Sequence, residues 1–511
     1  MKFAILVLYF GILIAIGLYC RKHTTDVNGF VLGGRSVGPW LTAFAYGTSY
    51  FSAVVFVGYA GQFGWKYGIA ATWAGIGNAL IGSLMAWFIL GRRTRIMSQP
   101  LDSATMPQFF GKRFGSDGLK IGASIIIFIF MIPYTASLYN GLSRLFGMAF
   151  DIDYSVCILL MALLTAIYVI AGGYMATAIN DFIQGMIMLI GISAVIYAVL
   201  ESKGGFMSAL DGLARITDEK VTATPGIFAS FFGPDPINLL FVVILTSLGT
   251  WGLPQMVQKF YAINNEQAIQ KGTIISTLFA FVVAGGCYFL GGFGRLFSDR
   301  IDIAANGFDS IIPTMLSDLS AGMIAMIVIL VLSASMSTLS SLVIASSSTL
   351  AIDLIKDNFA PTMSEVKQVL LMRVLIVVFI AISAVLALIQ YKSSVNFIAQ
   401  MMGISWGAMA GAFLAPFMYS LYSKKITTVS CWICFGFSVT LMIANMLIRP
   451  MFPPIMQSPI NAGAIAMIVG MIIVPLISAF TQPPPQKLVD EAFRCYEKET
   501  TVPQYVALGK K

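Results

Sequence analysis

Residues 38–63 read GPWLTAFAYGTSYFSAVVFVGYAGQF, an uncharged, largely apolar run long enough to cross a bilayer as a helix. Its middle breaks the apolar character. Tyr46-Gly47-Thr48-Ser49-Tyr50-Phe51-Ser52 sets a glycine and a row of hydroxyls at mid-depth. A helix interrupted there frees backbone carbonyls and amides, and in lipid such a break persists only where it lines a cavity. A second stretch, Leu248-Gly249-Thr250-Trp251-Gly252-Leu253-Pro254, has the same character inside the apolar run 235–257. Two broken spans, five spans apart, point to paired halves with a site near the membrane midplane. Glycine used for close helix packing is the competing reading.

The composition agrees with a membrane chain. Of 511 residues, 58% are hydrophobic and 11% charged, against about 25% charged in soluble domains. Mean hydropathy is +0.85. A soluble enzyme, a disordered chain and a secreted disulfide scaffold are excluded. The reading is an all-α polytopic membrane protein with about thirteen transmembrane helices. They lie near 2–20, 38–63, 69–91, 119–147, 154–173, 176–200, 235–257, 270–294, 310–352, 368–391, 396–421, 427–447 and 462–481. Phe3 to Cys20 are mostly apolar and are followed by Arg21 and Lys22, with neither a convincing basic start nor an A-x-A-like cleavage site. An uncleaved first span is therefore expected.

Lys and Arg set the orientation. With the N-terminus outside, segments 21–37, 92–120, 258–271, 353–373, 423–426 and the tail face inward and hold 21 of the 31 Lys and Arg. Asp151, Asp153, Asp299, Asp302 and Asp309 fall outside, and the C-terminus is cytoplasmic. The net charge of +8 is then a topology signal and not a nucleic-acid footprint. On this reading Lys259 belongs to an inner segment, no Lys or Arg sits at mid-depth in the core, and Arg144 lies near an outer helix end.

No catalytic constellation appears, so an enzyme is not expected. The single histidine, His23, rules out a His-based metal site, triad or proton relay. Cys431 and Cys434 form a C-x-x-C inside an apolar span with no second pair to complete a zinc site. The strongest local signal is Ser333-Ala334-Ser335-Met336-Ser337-Thr338-Leu339-Ser340-Ser341, followed by Ser346-Ser347-Ser348. On a helix, Ser337, Ser340 and Ser341 share a face, with Ala334 and Thr338 beside it. Crowded neutral oxygens suit a desolvated hard cation; interhelical hydrogen bonding is the alternative. Asp181 lies inside a span, where a carboxylate costs about 2.5–3.5 kcal/mol. It would ligate a cation, carry a proton or mark the membrane edge.

Four motifs in order carry a resemblance. They are Phe30-Val31-Leu32-Gly33-Gly34-Arg35; Gly172-Gly173-Tyr174 through Asp181 and Gln184; Ser333 through Asp353; and Trp406-Gly407-Ala408 through Pro416. Together they resemble the sodium/solute symporters, whose members carry proline, sugars, sialic acid, pantothenate, iodide or monocarboxylates. The resemblance implies a ten-helix core of two inverted five-helix repeats over 38–421. An extra helix and basic loop would occupy 1–37, two further helices 422–481, and a cytoplasmic tail 482–511.

It further implies a common sodium site built from Thr48, Phe51 and Ala334 through carbonyls, with the hydroxyls of Ser337 and Thr338. A second sodium site would use Asp181, Ser337, Ser340 and Ser341. The substrate set is Ser52, Tyr50, Tyr134, Thr246, Trp251 and Pro254. Tyr134 and Gly252-Leu253-Pro254 match the proline-carrying branch and favour an amino acid such as proline, or an organic acid. Tyr50 and Thr246 depart from it, because that branch has an Asp and a Trp at the matching positions. The expected function is sodium-driven uptake of a small organic solute by alternating access across the cell membrane. Sodium serves as coupling ion, no other cofactor is needed, and the monomer is the working unit. A sodium/sugar or sodium/sialic acid symporter is the alternative, and a proton-coupled carrier using Asp181 a further one.

Overall fold

The computed structural model describes residues 2–21, 25–150, 152–219, 221, 224–392 and 398–497. His23, Asp151 and the tail from 498 onward lie outside the described residues, as does the side chain of Tyr50. Among the described residues there are helices and turns but no strand. The helices that matter here are α1 (Lys2–Cys20), α2 (Pro39–Tyr50), α3 (Ala60–Tyr67), α4 (Asp117–Phe150), α5 (Tyr154–Glu201), α6 (Pro236–Val243), α7 (Pro254–Ala262), α8 (Glu266–Gly291), α9 (Ala321–Ser348), α10 (Glu365–Lys392), α11 (Ile398–Tyr422), α12 (Thr428–Leu447) and α13 (Pro459–Phe480).

Among the described residues, nine helices are long and apolar enough to span a membrane, and a tenth if Pro236–Gly252 and Pro254–Ala262, bent by 46°, count as one span. Leu6–Cys20 and Tyr154–Ile167 are shorter apolar helices. The chain is thus a multi-pass membrane protein. The long α5 is two helices in sequence: Gly173 has φ +55°, a conformation that glycine adopts without strain.

Local sequence explains the helix starts. Side chains of Asp235, Asn265, Ser320 and Thr427 each accept a backbone N–H from the first turn that follows, as N-caps do. At one end of the bundle, basic side chains serve helix C-termini. Arg95 donates to the Ile263 and Asn264 carbonyls just past α7. Arg113 donates to Ser420 and Ser423 at the end of α11. Cations there answer the free carbonyls and the helix dipole.

The helix α9 is the axis of the molecule. Of the most apolar stretch in Ala321–Phe359, 94% is buried inside the protein, although Ser, Thr and Ala make up much of it. Small residues let neighbouring backbones approach closely. The same device holds α3 against α8, where a Cβ on Gly64 would overlap the Gly291 carbonyl. α9 therefore sits where two broken helices can reach it.

A candidate cation and solute site between two broken helices

The first break follows α2. Phe51 leaves the helix with an extended backbone, φ −90° and ψ 115°, and helical geometry resumes at Ala53. The second follows Gly252, where Leu253 is extended at φ −86° and ψ 123°. Pro254 then restarts the chain as the first residue of α7, the position where its missing N–H costs nothing. Both interruptions fall inside the stretches whose sequence announces them.

The five residues expected to form the common sodium site converge. The Ser337 hydroxyl lies 3.1 Å from the Thr48 carbonyl oxygen and 3.0 Å from that of Ala334. The Thr338 hydroxyl lies 3.1 Å from Thr48 O, 3.3 Å from Phe51 O and 3.1 Å from Ala334 O. All five residues are buried. Two hydroxyl protons thus face three carbonyl oxygens, and each proton serves one acceptor at a time. The Thr48 hydroxyl, also buried, has no hydrogen-bond partner. The cluster carries a surplus of oxygen lone pairs and no formal charge, the donor set of a hard monovalent cation.

The residues expected to form a second site lie one turn further along α9. Ser340 donates to the Ser337 carbonyl at 2.9 Å. Ser341 Oγ is 2.9 Å from Ser49 Oγ on α2. Asp181, on α5, is fully buried, and neither carboxylate oxygen has a hydrogen-bond partner. One occupant is unexpected. Lys259 Nζ donates to Ser341 Oγ at 3.0 Å and lies 4.9 Å from the centre of the Tyr174 ring. It is 1% exposed. The expectation that no Lys or Arg lies within the core fails at this residue. Lys259 belongs to α7, six residues past the Leu253 break, and not to a connecting segment. A span ended at residue 257 because a charge follows loses the rest of α7. The restart signalled by Pro254 would have kept it.

The proposed solute residues divide. Tyr134 packs edge-on against Trp406, centroids 5.9 Å apart, and a Cβ on Gly249 would lie 3.2 Å from the Trp406 ring. These three meet beside the second break. Ser52 accepts the Val54 N–H at 3.2 Å. Trp251 donates its indole N–H to the Ile81 carbonyl at 2.9 Å, and Thr246 donates to Val242 O at 2.9 Å. Pro254 lines a small polar cleft with Thr105, Gln258 and Ser348 on the other side of the break. Two further residues, which the sequence alone does not single out, join the site. Trp406 is buried with its indole nitrogen unpartnered, and so is Gln255 with both amide atoms. Gln255 precedes Lys259 by one turn on the same face of α7. An uncharged Gln beside a Gly-x-Pro break was the available signal.

A model of the "Sodium:solute symporter family" matches residues 30–432. The chain belongs to that family. As a sodium:solute symporter it works by sodium-coupled uptake of a solute, with sodium as the coupling ion. It is similar to the osmoregulated proline transporter OpuE of Bacillus subtilis, 29% identical over 82% of this chain and 83% of the relative. It is also similar to sodium/proline symporter 2 of Staphylococcus saprophyticus, 28% identical over 83% and 82%. Among solved structures, a substrate-bound outward-open Na+-coupled sialic acid symporter matches with a TM-score of 0.76. It covers 95% of this chain and 98% of that one at 16% identity. That likeness carries the fold of the symporter: an all-helical core with discontinuous helices.

Proposed function

We propose that this symporter takes up a small amino acid or organic acid of proline-like size, driven by sodium held at the first break. The observation that carries the sodium assignment is the five-oxygen cluster of Thr48, Phe51, Ala334, Ser337 and Thr338. Three of its five distances run between α9 and the chain around the break, and two lie within one turn of α9. A cation there joins the interrupted segment to the central helix. The Ser337 and Thr338 hydroxyls lie within hydrogen-bond distance of the same carbonyls.

The solute site lies beside the second break, between Tyr134, Trp406 and the 249–253 segment, with Ser52 at its sodium-facing side. The N-terminal end of α7 and the bound sodium would hold a carboxylate. The aromatic pair would cover the apolar body. Thr246 and Trp251 shape the walls through the partners described above, and Pro254 restarts the chain at the break beside them. The proline-transporting names of the relatives support an amino-acid-like solute over a sugar. The distribution of Lys and Arg supports an outer N-terminus and a cytoplasmic C-terminus in the cell membrane, with the transport core at 38–421.

Alternating access follows from this arrangement. Outer sodium orders the first break and completes the solute site. The filled core closes outward and opens inward. Low inner sodium empties the five-oxygen cluster and releases the solute. The test is tracer uptake into proteoliposomes of L-proline, other amino acids, monocarboxylates, sialic acid and sugars, with and without an inward sodium gradient. Uptake of a small amino or organic acid only with the gradient is expected. Gradient-driven uptake of a sugar alone would overturn the solute class.

A further inference from the structure

We infer that the Lys259 ammonium is the resident cation of the second site, so that one sodium ion, and not two, binds each molecule. The inference rests on the sodium assignment at the first break and adds the occupancy of its neighbour. Three observations carry it. The Lys259 ammonium donates to Ser341 Oγ at 3.0 Å, which occupies an oxygen that a second sodium would need. It lies over the face of Tyr174 at 4.9 Å, within the range of a cation–π contact. On the same helix as Tyr174, Asp181 is a fully buried carboxylate whose oxygens have no hydrogen-bond partner.

A Lys ammonium is a compact, strongly hydrated point charge with three donors. In a buried pocket it fills the electrostatic role of a bound alkali ion. A sodium ion brought to the same oxygens would meet a like charge with little solvent to screen it. The tethered charge differs from sodium in one respect: it never leaves. Ser341 passes the contact to Ser49 at 2.9 Å, and Ser49 donates in turn to the Ala45 carbonyl. Lys259 thereby joins α7, α9 and α2, all of which border the two breaks. In a two-ion design the second sodium must arrive and depart each cycle. Here the join is permanent.

The experiment is equilibrium binding of radioactive sodium to the purified full-length protein in lipid nanodiscs, which needs no knowledge of the solute. Wild type is expected to bind one sodium per chain with a Hill slope of about one. Lys259→Met, which keeps an apolar stem and removes the charge, is expected to bind two. Lys259→Met combined with Asp181→Asn is expected to return to one. Two sodium ions on the wild type would overturn the inference, and that arm requires no variant to fold. A count of one on a folded Lys259→Met would also overturn it. No sodium on the wild type would instead remove the assignment at the first break, and this inference with it.

Discussion

The Thr338 hydroxyl lies 3.1 Å from the Thr48 carbonyl oxygen in α2 and 3.3 Å from the carbonyl of Phe51, the extended residue at the break. One side chain of the central helix thus reaches both carbonyls that the interruption of α2 sets apart. The break is stable because its polar backbone has partners, and those partners leave oxygen to spare. An ion bound there replaces hydrogen bonds without rebuilding the backbone. On the proposed reading, sodium bound at these oxygens would hold the first break in place.

Lys259 and Asp181 are expected to depend on each other for stability. Removing one member of a buried charge pair leaves the other uncompensated, at a cost of about 3–5 kcal/mol in direct pairs. This pair is separated by more than an ion-pair contact, so the lower figure applies. Asp181→Asn should lower the thermal unfolding midpoint in detergent. Adding Lys259→Met should restore much of the loss. Additive losses in the double variant would show that the two charges do not interact.

Coupling to a single sodium, as proposed, would set the concentrating power. One charge crossing 100 mV is worth about 2.3 kcal/mol, and each ~1.4 kcal/mol is tenfold. A net-neutral solute is then expected to accumulate roughly fiftyfold on the voltage alone. Charge moved per solute, from parallel current and tracer flux, should be about one. A ratio of two would require a second mobile cation.

Close helix contact makes Gly64 intolerant of change. A Cβ there overlaps the Gly291 backbone, which has no flexible end to move aside. Overpacking of this kind costs about 1–3 kcal/mol and sometimes more. Gly64→Ala should reduce the folded yield and lower the unfolding midpoint. Gly436→Ala, on α12 with no atom within 4 Å of the added Cβ, should be neutral or slightly stabilising. Equal behaviour of the two variants would refute the packing argument.

Asp309 provides a pH test outside the membrane-spanning helices. It is 3% exposed, and its carboxylate accepts the Ile398 N–H at 3.5 Å. Burial pushes its carboxyl up from the ordinary 3.8 to about 6, against the attraction of Arg144. The folded state therefore holds this proton more tightly than the unfolded state does. Its contribution to stability is present below about pH 4 and is lost as pH rises towards 6. Above that the ionised group costs on the order of 3 kcal/mol. Asp309→Asn keeps an acceptor oxygen and is expected to raise the unfolding midpoint at pH 7.5. At pH 4 the variant and wild type should coincide. A stabilisation independent of pH would contradict the assignment to this carboxyl.

Much of this arrangement is legible in the sequence, for identifiable reasons. Both breaks announce themselves because glycine, proline and hydroxyls are conspicuous within apolar runs. The Ser333–Ser341 face is legible because helical spacing alone puts Ser337 and Ser341 on one side. Lys259 is not legible by the same route. A hydropathy reading ends a span at the first charge, and a long side chain gives no sign of whether it reaches water or a buried hydroxyl. The partners of Trp251 and Thr246 are also hidden. Their neighbours Ile81 and Val242 are ordinary apolar residues that contribute only backbone carbonyls. The pairing of Tyr134 with Trp406 joins residues far apart in the chain, and only the packing of α4 against α11 brings them together.

The five-oxygen cluster is tested most directly by sodium titration of transport in proteoliposomes carrying wild type, Ser337→Ala or Thr338→Ala. Each substitution removes one oxygen from the ion and leaves the backbone carbonyls in place. A hydrogen bond to a charged group is worth about 1.5–3 kcal/mol, and an ion ligand is expected to fall in a similar range. The sodium concentration for half-maximal transport is therefore expected to rise roughly ten- to hundredfold, at about 1.4 kcal/mol per tenfold. Solute half-saturation measured at saturating sodium should change little. An unchanged sodium requirement in both variants, with transport intact, would contradict the site.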